Sequence, residues 1–134
     1  MIVGVTGTRS GMTQYQIAQV EKYFDINHDT IIGIRHGDCA GVDVQFANMA
    51  NLKGYITYQH PPRSNELRAF HKSDIISLPR GYFERNRDIV NGSEVLIVIP
   101  WQMEHSDNGG TWYTHDYAIK TKKPVLIFWP EERL

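Results

Sequence analysis

The sequence predicts an α/β protein: a three-layer α/β/α sandwich on a mostly parallel sheet of about five strands. Three observations favour this class. Short apolar runs alternate with segments of helical periodicity along the chain, which is the pattern of repeated strand–helix units. The run at residues 95–99 is apolar throughout, as expected for a strand buried on both faces. Glycine-containing loops follow three of the runs, which suggests that helices begin close to a ligand.

The N-terminal half of the chain holds three predicted strands and two predicted helices. An apolar run at residues 2–5 predicts the first strand. Thr13 and Gln16 have the spacing of a capping box, so the first helix is expected to begin there. Further strands are predicted at residues 30–34 and 55–58, with a helix at residues 41–52 between them.

The C-terminal half is less regular at first and then follows the same alternation. Residues 61–79 show little periodicity, with a weak signal for a short strand or edge segment at residues 72–78. A helix over residues 82–91, with Phe83 toward the core, is expected to stop at Gly92. The remaining predicted elements are a strand at 94–99, a polar loop at 105–110, a helix at 111–122 and a strand at 125–129.

Composition limits the classes of protein to which the chain can belong. The formal charge of −1 argues against a nucleic-acid partner held by bulk positive charge, although a local basic groove stays open. Cys39 is the only cysteine, so an internal disulfide is excluded. We see no secretory signal and no membrane-length apolar run, and we expect a cytoplasmic protein. Without a linker or repeat, residues 1–134 are expected to form one domain.

Loops that follow parallel strands meet at the carboxyl edge of the sheet, where ligands bind if the strand order reverses. The three glycine loops are expected at this edge. Glycine lets the backbone approach a ligand, and the first amides of each helix lack internal partners. The pattern therefore predicts an anion site. Its candidate ligand-binding residues are Gly7, Thr8, Arg9, Gly37, Gly41, Gly109, Gly110 and Thr111.

Four further side chains are candidates for this site. Asp43 is expected in the first helical turn, where it either caps the helix or binds a ribose hydroxyl. Asp38 is expected to be functional, since a loop carboxylate at a strand end has no evident structural task. Arg85 offers a planar donor fork for phosphate, or else pairs with a carboxylate. Asn86 can contact a base edge or fix a neighbouring loop.

For several other residues the sequence does not decide between a structural and a functional role. The histidines show no metal-ligand spacing, and His36 with Cys39 lacks an accompanying ligand set, so neither a metal nor a cofactor is predicted. His60 either lines the site or is structural. Trp101 is a core or rim residue, or it stacks on a base.

Several short motifs, taken in order, resemble the SLOG superfamily. This superfamily comprises Rossmann-like domains shared by the DNA-processing protein DprA and the cytokinin-activating Lonely Guy enzymes. The layout is similar to its small stand-alone bacterial and phage members, such as the YspA and YpsA groups. The resemblance covers nearly the whole chain. It rests on Val5-Thr6-Gly7-Thr8-Arg9, on residues 36–43, on Arg85-Asn86, on Gly110-Thr111 and on Tyr117-Ala118.

The resemblance implies a Rossmann-like domain that binds a nucleotide or an ADP-ribose-like molecule, as a sensor or binding module. A homo-oligomer that shares pockets is compatible with the aromatic residues Trp112 and Tyr113, which are expected to be exposed near the site. An alternative is a Lonely Guy-like N-glycosidase acting on nucleoside 5′-monophosphates. A third hypothesis is single-stranded DNA binding as in DprA, which the near-neutral charge disfavours.

The N-glycosidase alternative depends on a carboxylate. Lonely Guy enzymes have an arginine, matched here by Arg85, and a glutamate three residues after the Gly-Thr pair, where this chain has Thr114. If the chain is an enzyme, the catalytic candidates are Arg85 with a replacement carboxylate. The carboxylates available for that role are Asp38, Asp43, Glu84 and Asp116.

Overall fold

The computed structural model describes residues 1–133, and these form a sheet of six strands with four helices. The strands are β1 (Ile2–Gly7), β2 (Gly33–His36), β3 (Ile56–Gln59), β4 (Ile75–Ile76), β5 (Val95–Ile99) and β6 (Val125–Ile127). The helices are α1 (Gln14–Ile26), α2 (Val42–Leu52), α3 (Tyr82–Asn91) and α4 (Gly110–Lys120). Within residues 1–133, no helix is long and apolar enough to cross a membrane.

The strand order is β4-β3-β2-β1-β5-β6, and all five strand pairings are parallel. The predicted fold class is therefore confirmed, with six strands instead of about five. The sixth strand is β4, which lies within the short strand or edge segment weakly indicated at residues 72–78, and its two residues pair with Tyr58 and Gln59 at the edge. The order runs outward from β1 in both directions, so the reversal point lies between β1 and β5.

Two hydrophobic clusters hold the helices on opposite faces of the sheet. Side chains of α1 and α2 pack against one face, where Phe24 and Phe46 are fully buried. Side chains of α3 and α4 pack against the other face, around Ile89 and Trp112. Alternate residues of β5 enter the two clusters, which explains why its sequence is apolar throughout.

The second strand begins later than predicted, so the expected bounds of 30–34 are wrong. Residues 27–30 turn, and the backbone amides of Thr30 and Ile31 both donate to the carbonyl of Asn27 at 3.0 Å. These bonds occupy groups that a strand would use for pairing. Apolar character alone could not distinguish this turn from a strand.

The predicted capping box at the start of α1 is confirmed. Thr13 Oγ1 accepts from the Gln16 amide at 3.1 Å, and Gln16 Oε1 accepts from the Thr13 amide at 3.0 Å. The other three helices follow glycines whose positions supply no side-chain cap. Their first amides are therefore left for backbone, solvent or ligand partners.

Candidate functional site

A cavity of about 450 Å³ lies at the carboxyl ends of β1 and β5, where the strand order reverses. Four parts of the chain form its wall: the end of β1, the start of α2 with the loop before it, the start of α3, and the β5–α4 segment. This is the position at which open parallel sheets bind ligands.

Most of the predicted ligand-binding residues line this cavity, and three do not. Those in the wall are Gly7, Thr8, Arg9, Asp43, Arg85, Asn86, Gly109, Gly110 and Thr111. Gly37, Asp38 and Gly41 lie outside the lining, as does Asp116, the candidate catalytic residue on α4. The sheet edge therefore brings together residues more than 100 positions apart in the chain.

Arg85 is a buried cation in the cavity wall, with 4% of its surface exposed. Its guanidinium donates to the backbone carbonyl of Gly37, to that of His60 at 3.1 Å, and to Asn86 Oδ1 at 2.7 Å. Within the described chain no carboxylate lies at salt-bridge distance from it, so the surface ion pair considered from the sequence is not formed. Its hydrogen-bond partners are neutral, and its charge is available to a ligand.

Asp43 is the buried anion of the same wall. Its Oδ2 accepts from the Cys39 amide at 3.2 Å, and the Gly37 amide also donates to this carboxylate. Burial raises its pKa to about 6, although Arg85 and the two amides favour the charged form. Asp43 thus orders the loop before α2 and remains able to change its charge near neutral pH.

The predicted glycines serve two different purposes. A β-carbon at Gly7 would lie 2.4 Å from Val42 Cγ1, and one at Gly41 would lie 2.4 Å from the Arg9 carbonyl oxygen. These glycines permit close packing of the chain on itself. A β-carbon at Gly109 would meet no atom within 4 Å, and one at Gly110 would meet only Asn86 Nδ2, at 3.7 Å. The space at Gly109 and Gly110 belongs to the cavity.

Backbone amides are open at the start of α4 and mostly engaged at the end of β1. The first backbone bond of α4 runs from the Tyr113 amide to the Gly109 carbonyl. In the described part of the chain, the amides of Gly110, Thr111 and Trp112 therefore have no protein acceptor. The Thr8 amide, in contrast, donates to the Ile99 carbonyl at 3.1 Å. An anion finds its free amides at α4.

Asp38 has a structural task that its sequence position did not indicate. Its side chain is fully buried, and Oδ2 accepts from Arg68 Nε at 2.8 Å. Its Oδ1 accepts from the His71 amide at 2.8 Å. Both oxygens are engaged away from the cavity, so the expectation that Asp38 contacts a ligand is not supported. It anchors the irregular segment that precedes β4.

Of the four carboxylates considered for hydrolysis, Asp43 alone lines the cavity. Glu84 pairs with Arg80 at 2.8 Å on the surface. Asp116 binds two histidines outside the cavity. Thr114, at the position of the Lonely Guy glutamate, is buried and donates its hydroxyl to the Gly110 carbonyl at 2.7 Å. A hydrolase mechanism would therefore depend on Asp43.

Aromatic residues form part of the cavity rim. Trp101 is 66% exposed and Phe83 is 57% exposed, and both line the cavity together with Tyr82. The prediction that Phe83 faces the core is wrong, because the first turn of α3 extends beyond the apolar layer. The position of Trp101 directly after the β5 strand was the sequence signal for this rim, whereas Phe83 joins it only through the fold.

The structure bears on the two roles left open for His60 and on the arrangement of the other histidines. His60 does not line the cavity; its backbone carbonyl binds Arg85, and its Nε2 lies 3.1 Å from Arg35 Nη1. Burial lowers its pKa to about 4. The fold also brings His105, from the loop after β5, next to His115 and Asp116 of α4, although spacing along the chain indicated no metal-ligand set.

No protein-family model matches the sequence, and no curated protein matches it. Solved structures do match. The molybdenum cofactor binding protein of the phototrophic bacterium Rippkaea orientalis has a TM-score of 0.72 at 20% identity, over 97% of this chain and 77% of that chain. The molybdenum cofactor carrier protein of Chlamydomonas reinhardtii has a TM-score of 0.65 at 21% identity, over 94% and 74%.

DNA processing protein A from Helicobacter pylori has a TM-score of 0.65 at 18% identity. The match covers 95% of this chain and 64% of that one, so this chain spans less than two thirds of its length. The present chain has the same α/β Rossmann-like fold as these structures. The likeness establishes the fold, and the ligand has to be argued from the cavity.

Proposed function

We propose that this chain binds a phosphate-bearing, nucleotide-derived small molecule in the cavity between β1 and β5, as a sensor or binding module. The observation that carries the proposal is the buried Arg85 guanidinium, whose hydrogen bonds all go to neutral partners. A buried charge is costly unless an opposite charge compensates it. Asp43 offsets part of that charge through space without forming an ion pair, and a phosphate in the cavity would supply the rest and accept directional hydrogen bonds.

The start of α4 is the second part of the proposed phosphate site. The free amides of Gly110, Thr111 and Trp112 lie at the positive end of the helix dipole. The open space at Gly109 and Gly110 admits a phosphate to backbone distance. Asn86 accepts from Arg85 through Oδ1, which leaves its Nδ2 as a donor near Gly110.

The rim offers a place for a planar base. Trp101 and Phe83 expose aromatic surface to the cavity, on which a base can stack. A volume of about 450 Å³ lies within the range of small-molecule sites. Binding of a small molecule also accords with the molybdenum cofactor proteins that share this fold.

Calorimetry against a panel of nucleoside mono- and diphosphates and ADP-ribose tests the proposal. Gly110→Glu places a carboxylate in the open space, so we expect it to abolish binding without unfolding the protein. Leu52→Glu is the matched control, since Leu52 is 88% exposed at the far end of α2. Unchanged affinity in Gly110→Glu would remove the site assignment.

A second variant addresses Arg85 itself. Arg85→Lys keeps the charge and Arg85→Gln removes it, while both lose part of the donor fork. We expect Arg85→Lys to retain measurable binding and Arg85→Gln to lose it. Equal affinities for these two variants, both folded by circular dichroism, would show that the charge of Arg85 is not used.

Hydrolysis of an N-glycosidic bond is a second candidate, favoured by one observation. Asp43 is a buried cavity carboxyl with a pKa of about 6, which is in the range useful for proton transfer. Incubation with nucleoside 5′-monophosphates and chromatography for free base tests it. Release that disappears in Asp43→Asn would support an enzyme, and no release from any nucleotide would leave the binding function alone.

A further inference from the structure

Three side chains of types that ligate metals, His105 from the loop before α4 and His115 and Asp116 of α4, lie together. His105 Nε2 is 2.8 Å from Asp116 Oδ1, and His115 Nδ1 is 2.7 Å from the same oxygen. The three donor atoms lie within 4.8 Å of one another. The proposed ligand cavity does not use these side chains, because none of the three lines it.

We propose that His105, His115 and Asp116 bind a divalent transition-metal ion of the zinc class. Two imidazole nitrogens and one carboxylate oxygen are a donor set typical of zinc and neighbouring metals. Zinc ligands lie about 2.1 Å from the metal, and a tetrahedral arrangement puts them roughly 3.4 Å apart. The distances from the carboxylate oxygen to the two nitrogens would therefore have to lengthen by about 0.6–0.7 Å on metal binding.

Packing holds the two imidazole rings in position. The ring of Trp112 lies 4.9 Å from that of His105 and 5.1 Å from that of His115. Trp112 is almost fully buried, and its Nε1 donates to Gln102 at 3.1 Å. A rigid wall beneath both rings reduces the conformational entropy that metal binding would cost.

The surroundings leave room for the remaining coordination positions. Asp116 and His105 are both exposed, so water can complete the coordination of the metal. The other nitrogen of His105, Nδ1, lies 4.0 Å from Asp107 Oδ1. Outer carboxylates orient metal-bound histidines when they accept the second ring N–H, and Asp107 would have to approach by about 1 Å to do so.

The site would connect two elements that both contribute to the cavity. His105 belongs to the loop after β5, and the other two ligands belong to α4. Asn108 and Gly109, between them in the chain, line the cavity. A bound metal would tie this loop to the helix. The metal site itself does not depend on the proposed nucleotide function.

Zinc titration of the full chain without a polyhistidine tag, in competition with a chromophoric chelator, tests the proposal. We expect one equivalent to bind, with affinity reduced at least about 10-fold in His115→Ala and in Asp116→Asn. His28→Ala is the matched control because it removes an exposed histidine distant in sequence from the cluster. It should bind zinc like the wild type.

Cobalt provides an independent readout, because Co²⁺ absorption in the visible range reports its coordination. The wild-type spectrum should show the intensity of a low-coordinate site and should be lost in Asp116→Asn. Asp116 and His28 are exposed and His115 is partly buried, so the folding of every variant is checked by circular dichroism. Failure of the wild type to bind zinc, or equal affinity in the wild type and both cluster variants, would overturn the proposal.

Discussion

The side chains of Arg85 and Asp43 meet at Gly37, where an added β-carbon would lie 2.6 Å from Arg85 Nη1 and 3.0 Å from Asp43 Oδ2. The two groups line the same cavity without forming an ion pair within 4 Å. The guanidinium binds carbonyls, and the carboxylate binds amides. The net charge that an anionic ligand meets therefore depends on the protonation of Asp43.

We predict that the affinity for a nucleotide depends on pH through Asp43. Above its pKa of about 6, the carboxylate is charged and opposes a bound phosphate. Asp43→Asn should therefore bind more tightly at pH 7.5, by roughly 1 kcal/mol at the effective dielectric of a partly buried site. Calorimetry should show the advantage of Asp43→Asn shrinking as pH falls to 5.5.

The affinities of the wild type and of Asp43→Asn are compared at the same pH, so that the titration of the phosphate affects both equally and cancels in the ratio. A ratio of affinities that stays constant between pH 7.5 and 5.5 would mean that the charge of Asp43 does not reach the ligand.

Two glycine substitutions should distinguish a glycine that leaves room for a ligand, Gly110, from one that allows close packing of the chain, Gly7. Gly110→Ala should leave the free energy of unfolding unchanged or raise it by up to about 1 kcal/mol, since alanine favours helix. It should lower nucleotide affinity roughly tenfold, or about 1.4 kcal/mol, by filling the cavity. Urea unfolding and calorimetry measure the two effects.

Gly7→Ala is the contrasting variant, because its β-carbon would collide with Val42 and with the Ile99 carbonyl. It should lower the free energy of unfolding by about 1–3 kcal/mol. If Gly110→Ala were the more destabilising variant, the space at Gly110 would be needed by the fold and not by a ligand.

Asp38 should matter for stability and not for binding. Asp38→Asn removes the charge that pairs with Arg68, and we expect it to lower the free energy of unfolding by about 2–4 kcal/mol. Nucleotide affinity, measured under conditions where the variant is folded, should stay within about twofold of the wild type. A selective loss of affinity would restore Asp38 to the ligand site.

Acid should destabilise the protein through two buried histidines. Burial lowers the pKa of His36 to about 3 and that of His60 to about 4, well below the ordinary 6.5. His36 Nδ1 accepts the Asp38 amide, which requires an unprotonated nitrogen. Between pH 6.5 and 4 the unfolded chain therefore takes up two protons that the native state excludes. The free energy of unfolding decreases as the pH is lowered through this range.

Asp43 opposes this trend, because its raised pKa lets the native state take up one proton between pH 6 and 3.8. Near pH 5 the unfolded chain therefore binds one proton more than the native state. This corresponds to a decrease in the free energy of unfolding of about 1.4 kcal/mol per pH unit as the pH is lowered. Urea unfolding at pH 7, 6 and 5 measures the slope, and His60→Asn should flatten it. A free energy of unfolding that rises as the pH is lowered from 7 to 5 would contradict this prediction.

Much of the architecture was predictable because it depends on local properties of the chain. Apolar periodicity located α2 and α3 to within a residue at each end, and the Thr13–Gln16 spacing identified the start of α1. The rule that parallel strands gather their following loops at one edge placed Arg85 and Gly110 together. These inferences require only the residues that are near one another in the sequence and the right-handedness of βα units. They do not require knowing which distant residues are in contact.

The remaining features depend on partners that only the folded chain brings together. Asp38 is engaged in the structure because Arg68, 30 residues away, reaches it, and the weakly indicated edge segment is a strand because two of its residues pair with β3. His105 joins His115 and Asp116 only after the loop folds back on α4. A side chain's type and local position were readable from the sequence. Its electrostatic and hydrogen-bond partners were decided by the tertiary structure, because segments far apart along the chain pack together and their separation in sequence does not tell which of them will meet.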